Sequence, residues 1–182
     1  TERGALWIAD ETQCGLGRTG ARFAYQQHRE VGLPDVVVTA KPLAGGLPLG
    51  ATIFSEAASA AIGLGMHGTT FGGGPLACRV ALSFLDEVER LLPAIAANGA
   101  YLLARLQRLQ AEAACIREVR GVGLMAGIEL NQPGARFVQK ALDAGLVINC
   151  THGNVLRLLP PFTVGTPEID QACETLRRVL AA

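Results

Sequence analysis

Of the sixteen basic residues fourteen are arginine, and only Lys41 and Lys140 are lysine. Surface solubility has been left to arginine, so a lysine here asks for a chemical reason. An amine differs from a guanidinium in having a pKa that its surroundings can lower, which yields a neutral nucleophile able to form a Schiff base with a carbonyl. Lys41 stands between the apolar run Asp35 to Ala40 (Asp-Val-Val-Val-Thr-Ala) and the loop Pro42 to Gly50 (Pro-Leu-Ala-Gly-Gly-Leu-Pro-Leu-Gly). Asp10 has the same standing, directly after Ala5 to Ala9 (Ala-Leu-Trp-Ile-Ala). A carboxylate and an amine, each at the end of an apolar run, are candidates for one site. The competing reading of Lys41 is a surface lysine that closes a strand.

Gly15 to Gly20 spells Gly-x-Gly-x-x-Gly, a pattern that lets backbone approach a pyrophosphate. A dinucleotide loop is rejected nonetheless, because the acids Asp10 and Glu11 precede the glycines and the expected ribose-binding acid is missing. His67 to Gly73 (His-Gly-Thr-Thr-Phe-Gly-Gly) offers the hydroxyls of Thr69 and Thr70 with several backbone amides. Such a loop can cradle a phosphate or simply join two helices. Arg157 lies among Val155, Leu156, Leu158 and Leu159 and points either to a ligand or to solvent, which strand alternation slightly favours. His28, His67 and His152 lack metal-ligand spacing, and Cys14, Cys78, Cys115, Cys150 and Cys173 never form Cys-x-x-Cys. Neither a metal nor a disulfide framework is expected, and free thiols fit a reducing cytoplasm.

The elements that must position these residues follow from hydrophobic pattern. Ala5 to Ala9 and Asp35 to Ala40 read as strands buried on both faces, with Arg22 to Val31 as a helix between them and Gly50 to Phe54 as a third strand. Asp10 and Lys41 are thirty-one residues apart, about one βαβ unit, which sets both at the carboxyl edge of a parallel α/β layer where ligands bind. Leu76 to about Leu92 is helical, with Val80, Phe84, Leu85 and Val88 at helical spacing. Pro93 suits the first turn of a new helix running to about Ala114, with Asn98-Gly99 a weak point inside it. A smaller α+β unit follows: a strand within Val119 to Leu130, a helix over Ala135 to Ala144, strands at Leu146 to Asn149 and Asn154 to Leu159. A last helix starts from Thr166 as N-cap with Pro167 at its first position.

Hydrophobic residues make up 49% of the 182-residue chain and charged residues 18%, with a formal net charge of zero. The balance gives a globular chain and removes the basic footprint of a nucleic-acid binder. No stretch supplies the roughly eighteen uninterrupted apolar residues of a membrane span. The chain begins Thr-Glu-Arg-Gly and enters an apolar run almost at once, as the interior of a longer protein would.

Taken in order, three stretches resemble one family. They are Asp-Glu-Thr-Gln-Cys-Gly-Leu-Gly-Arg-Thr-Gly from Asp10, Lys41 before Pro-Leu-Ala-Gly-Gly-Leu-Pro-Leu-Gly-Ala, and His-Gly-Thr-Thr-Phe-Gly-Gly-Gly-Pro-Leu-Ala from His67. They look like the class III pyridoxal-phosphate aminotransferases. The likeness continues through Val119 to Met125, Gly145 to Asn149 and Arg157-Leu-Leu-Pro-Pro161, and so covers nearly the whole chain. It implies a fold type I transferase: residues 1–93 as the second half of the large cofactor domain with the start of a long connecting helix, and residues 94–182 as the small C-terminal domain. Within the family the likeness is greatest to members acting on ornithine derivatives. It implies a homodimer moving the terminal amino group of N-acetylornithine to 2-oxoglutarate in arginine biosynthesis, in the cytoplasm that the free thiols fit. Ornithine, succinylornithine and 4-aminobutyrate are alternative donors, and a non-catalytic piece serving only as a dimer surface is the other alternative.

The roles implied are specific. Lys41 would carry pyridoxal 5'-phosphate as a Schiff base and shuttle the proton at the substrate carbon. Asp10 would keep the pyridine nitrogen protonated, and Gln13 would approach the ring hydroxyl. Thr70 would bind the cofactor phosphate across a dimer interface, with Thr69 near the substrate. Arg157 would pair bidentately with a substrate carboxylate. The family usually has asparagine where Gly74 stands and a small residue where Pro42 stands, and proline should hold Lys41 in extended backbone. The family's upstream phosphate loop, ring-stacking aromatic and further substrate arginine have no counterpart here, so these residues are expected to be inactive alone.

Overall fold

The computed structural model describes residues 4–181, and of Arg29 only the backbone. The chain divides into two compact units, Thr1–Leu92 and Pro93–Ala182.

In the first unit three strands form one sheet: β1 (Ile8–Asp10), β2 (Val36–Thr39) and β3 (Ala51–Phe54), in the order β1-β2-β3. β1 and β2 are parallel, with Asp10 opposite Val38, whereas β3 runs antiparallel to β2. The layer is therefore mixed, because the loop after β2 is short enough to turn the chain straight back. β1 begins later than the apolar run suggests and is not buried on both faces, since Ile8 is 57% exposed. β2 carries the buried Val36, Val37 and Thr39.

The helix expected over Arg22 to Val31 is two 3-10 turns, Ala24–Gln27 and Arg29–Val31. The reason is local. Glu11 takes the amides of Ala24 and Tyr25, and Phe23 stacks on Tyr25 at 5.8 Å between ring centroids, a pairing two residues apart that an α-helix does not permit. A short helix α1 (Glu56–Ser59) follows β3, capped by Ser55, whose hydroxyl accepts from the Ala58 amide at 3.2 Å. The core of this unit is Leu16, Leu43, Ala44 and Ala81, packed with Phe23, Leu49, Ala77, Phe84 and Leu85. Its apolar anchors thus come from the loops that follow β1 and β2, set against a helix.

That helix, α2 (Pro75–Glu112), has 38 residues and passes through Pro93 without ending, where the sequence pattern suggests two helices. Proline inside a helix costs about 3 kcal/mol, but Val88, Ile95, Leu102 and Leu109 recur every seven residues on its buried face while Pro93 is exposed. Burial that keeps its phase through the proline outweighs the one missing amide. Gly99 is not a weak point either: a Cβ there would lie 2.4 Å from the carbonyl carbon of Gly123, so glycine lets the helix touch backbone.

In the second unit a four-stranded antiparallel sheet has the order β4-β5-β7-β6, with β4 (Ile116–Val122), β5 (Met125–Leu130), β6 (Asn149–Thr151) and β7 (Val155–Leu158). The single strand expected within Val119 to Leu130 is a hairpin, turned at Gly123 with φ 56°. β6 starts at Asn149, the last residue of the strand expected over Leu146 to Asn149. Ala126, Ile128, Leu130, Leu156 and Leu158 form the buried face, joined by Phe137 and Ala141 of α3 (Ala135–Asp143) and by Ile169, Cys173, Leu176 and Val179 of α4 (Thr166–Ala181). α4 begins one residue earlier than expected: the Gly165 carbonyl accepts the first helical bond from Ile169, and Glu168 accepts the Gly165 amide at 3.0 Å.

Among the described residues no helix is long and apolar enough to cross a membrane, and no cluster of His, Cys, Asp or Glu could hold a metal ion.

Candidate active site

The end of β1 and the end of β2 lie side by side, because the pairing is parallel and in register at Asp10 and Val38. The Glu11 amide donates to the Val38 carbonyl at 2.8 Å and carries the ladder one residue further. Beyond that point both chains turn away, leaving Asp10 and Lys41 at one edge. Asp10 is held below its ordinary carboxylate value chiefly by hydrogen bonds from the Thr12 side chain and from the Thr12 amide, the latter 3.0 Å from Oδ1. The Lys41 ammonium contributes a smaller share in the same direction. Asp10 is thus an ionised, exposed carboxylate at neutral pH, with a cation as neighbour.

The turn after Asp10 is built on Glu11, which is 3% exposed. Its Oε1 accepts the Tyr25 amide at 2.8 Å and its Oε2 accepts the Ala24 amide at 2.9 Å and the Cys14 thiol at 3.4 Å. Burial, and then the Glu11 charge, push the Cys14 thiol up to about 11. Cys14 is therefore a thiol at neutral pH and no nucleophile. Gly15 has no room for a side chain, since a Cβ would stand 2.7 Å from the Glu11 carbonyl oxygen. Gly17 and Gly20 occupy the left-handed region at φ 96° and 87°. These glycines serve a tight turn, which is the physical content of the motif resembling a dinucleotide loop. Gln13 is half-buried in the same turn.

Lys41 opens a 3-10 turn (Lys41–Ala44) whose Leu43 and Ala44 are buried. Its backbone departs from the extended conformation that Pro42 favours: φ is +42°. A non-glycine residue there carries strain on the order of 1–3 kcal/mol, sustained by the burial of the two residues that follow Pro42. The Lys41 side chain is exposed.

Thr69 and Thr70 lie on the exposed loop between α1 and α2. The Thr69 hydroxyl accepts the Gly72 amide at 3.0 Å, and a Cβ on Gly72 would stand 2.3 Å from the Thr69 methyl, so the turn requires glycine. A hollow of about 410 Å3 is lined by Thr52 and Phe54 of β3 with His67, Gly68 and Thr69. Thr69 is therefore grouped with β3, and Thr70 is not part of that lining.

In the second unit Arg157 sits on β7 directly opposite Asn149 of β6, and its Nε donates to Asn149 Oδ1 at 3.2 Å. It projects from the face opposite the buried Leu156 and Leu158. Sequence reasoning passes over Glu11 and Asn149. The one available mark of Glu11 is an acid doublet immediately before a glycine-rich turn; Asn149 carries no chemical mark of its own.

Residues 1–180 match the family model described as aminotransferase class-III. The chain is 45% identical over 179 residues to the acetylornithine aminotransferase of Aquifex aeolicus, covering 98% of this chain and 46% of that relative. Among solved structures it is similar to the ornithine delta-aminotransferase of Plasmodium falciparum, with a TM-score of 0.90, 29% identity and coverage of 99% of this chain and 47% of that one. It is similar also to the ornithine aminotransferase of Toxoplasma gondii, with a TM-score of 0.89, 31% identity and coverage of 99% and 43%, a structure described as having partial occupancy of PLP at its active site. The chain spans about half the length of these relatives. Enzymes of this class depend in general on pyridoxal phosphate. With a fold and a motif order that match from end to end, the chain belongs to the class III aminotransferases.

Proposed function

We propose that a protein carrying these residues transfers the terminal amino group of N-acetylornithine to 2-oxoglutarate, with pyridoxal 5'-phosphate as cofactor, as a step of arginine biosynthesis. The observation that carries this reading is the juxtaposition of the Asp10 carboxylate and Lys41 at the shared edge of β1 and β2.

That donor set suits the cofactor. A carboxylate held in its ionised form matches a pyridinium nitrogen, and an exposed amine beside it matches an aldehyde. When bound, the cofactor supplies an electron-withdrawing ring that stabilises negative charge at the substrate carbon. Asp10 would hold the proton on the ring nitrogen by its charge. Lys41 Nζ would hold the cofactor and, once displaced by substrate, take and return the proton at the amine-bearing carbon. Gln13, in the turn that Asp10 opens, would orient the ring through its amide. Thr70 would hold the phosphate and Thr69 would stand near the substrate. Arg157, its guanidinium plane steadied by Asn149, would fork the substrate carboxylate.

A homodimer is part of the proposal. Phe71, 92% exposed beside Thr70, together with Leu64 and Met66 of the same loop and Leu76 in the first turn of α2, gives this region more apolar surface than water tolerates well. The five free cysteines support a reducing, cytoplasmic setting. The residue ranges 1–93 and 94–182 are proposed as parts of the large and small domains. Ornithine is the second donor, because the solved structures named above are ornithine aminotransferases; the higher identity to the acetylornithine enzyme favours the acetylated one.

The test is made on the full-length enzyme. Borohydride reduction with pyridoxal phosphate should leave a covalent adduct on Lys41, and N-acetylornithine should give the higher kcat/KM of the two donors. Absence of an adduct would remove the cofactor reading, and preference for ornithine would replace the donor.

A further inference from the structure

We propose that Glu11 is a positioning residue for the cofactor, fixing Asp10 and Gln13 by clamping the turn between them to a chain segment thirteen residues downstream. The proposal rests on the reading of Asp10 as the partner of the ring nitrogen.

Asp10 is exposed, and its own carboxylate is tied within its turn, through Thr12. Something else must hold that turn. Glu11 is almost fully buried, and its backbone and carboxylate are both engaged. Its amide reaches β2 at Val38, its carbonyl accepts Gly15 at 3.0 Å, and its two carboxylate oxygens accept the consecutive amides of Ala24 and Tyr25. The Cys14 thiol bridges the same structure, close to both the Glu11 carboxylate at 3.4 Å and the Asp10 carbonyl at 3.5 Å. One residue thereby joins β2, the turn bearing Gln13 and the first 3-10 turn, directly beside Asp10. Two converging amides need two acceptors. A carboxylate supplies both, whereas glutamine supplies one and sets its NH2 against the other N–H.

The experiment uses the full-length enzyme and the variants Glu11→Gln, Asp10→Asn and the double variant. A further variant, Ala24→Pro, deletes one of the two amides while leaving the carboxylate. Ala24 is the first residue of its 3-10 turn and follows Phe23 in extended backbone at φ −129°, ψ 143°, where proline is accepted. Readouts are the dissociation constant of pyridoxal phosphate, the pH midpoint of the visible absorbance of the bound cofactor, and the melting temperature without cofactor.

Glu11→Gln and Ala24→Pro are each expected to weaken cofactor binding roughly tenfold and to move the pH midpoint in the same direction as Asp10→Asn. Adding Glu11→Gln to Asp10→Asn should cost clearly less than the sum of the two single effects, because the two overlap at the Asp10 contact. The proposal is overturned if the effects of Glu11→Gln and Asp10→Asn add in full, if the variants lower only the melting temperature, or if neither Glu11→Gln nor Ala24→Pro folds. If Asp10→Asn itself leaves affinity and midpoint unchanged, the reading of Asp10 fails and this proposal with it. If Asp10→Asn moves them and the Glu11 variants do not, the role of Glu11 alone is lost.

Discussion

Arg157 Nε donates to Asn149 Oδ1 at 3.2 Å, between residues that are direct register partners on β7 and β6. An arginine on an open strand face has many rotamers, and a hydrogen bond at Nε restricts its plane before any anion arrives. Such a pair exploits what lysine lacks, a rigid fork that can be aimed.

The first expected outcome concerns this pair in the full-length enzyme. Arg157→Lys should raise the KM for the amino donor by roughly 10- to 100-fold, as loss of a charge-assisted bidentate contact does. Asn149→Ala should raise it by only about 3- to 10-fold, the worth of one orienting bond. Steady-state kinetics with the donor varied checks both, and an unchanged KM in Arg157→Lys would remove Arg157 from the substrate site.

Gly99 and Gly123 form a contact of a different kind, backbone on backbone. In an exposed helix, replacing glycine by alanine stabilises by about 1 kcal/mol. Here the sign should reverse. The added Cβ would meet Gly123 at 2.4 to 2.6 Å, so Gly99→Ala should destabilise by about 1–3 kcal/mol, as overpacking does. Denaturant unfolding of the full-length protein reads the sign directly.

Cys14 gives a pH-dependent outcome. Its thiol is pushed up from 9.0 to about 11, by burial first and the Glu11 charge second. A raised folded pKa means that its contribution to stability is complete below the unfolded value and is lost as pH rises from about 9 to about 11. Alkylation at pH 8 should therefore be roughly a hundredfold slower at Cys14 in the folded enzyme than in the denatured chain. Peptide mapping after timed iodoacetamide treatment measures this, and equal rates would contradict the half-buried Cys14–Glu11 contact.

Much of the edge where Asp10 and Lys41 stand is legible in the amino-acid sequence. Both residues follow apolar runs, and strand ends are written in that boundary. The side of β7 on which Arg157 lies also follows from its apolar neighbours, because alternation allows only one face for it once Leu156 and Leu158 are buried. The features that escape such reading are decided by tertiary contact. Pro93 looks like a helix start, and only the buried stripe from Val88 to Ile95 keeps α2 continuous through it. Gly123 turns β4 into β5 at a place where its neighbours Val122, Leu124 and Met125 are all apolar. Glu11 is a charged residue by type, and nothing local announces that the amides of Ala24 and Tyr25 will draw it inside. The same distant demand prevents the α-helix that Arg22 to Val31 suggests.

Lys41 itself carries the last outcome. Its φ of +42° is a conformation that glycine adopts freely and that a side chain with a Cβ resists. Lys41→Ala and Lys41→Gly both delete the amine and should both abolish transamination and the reducible adduct, so activity cannot tell them apart. Stability can. At an ordinary extended position alanine would be the more stable replacement by about 0.5–1 kcal/mol, since glycine loses more entropy on folding. In the left-handed region the order should invert, with Lys41→Gly more stable than Lys41→Ala by about 1 kcal/mol. Melting temperatures of the two variants in the full-length protein, both without cofactor, measure the difference. A higher value for Lys41→Ala would show that the lysine backbone is unstrained, whereas the expected order would mean that this position accepts strain in order to present an amine at the end of β2.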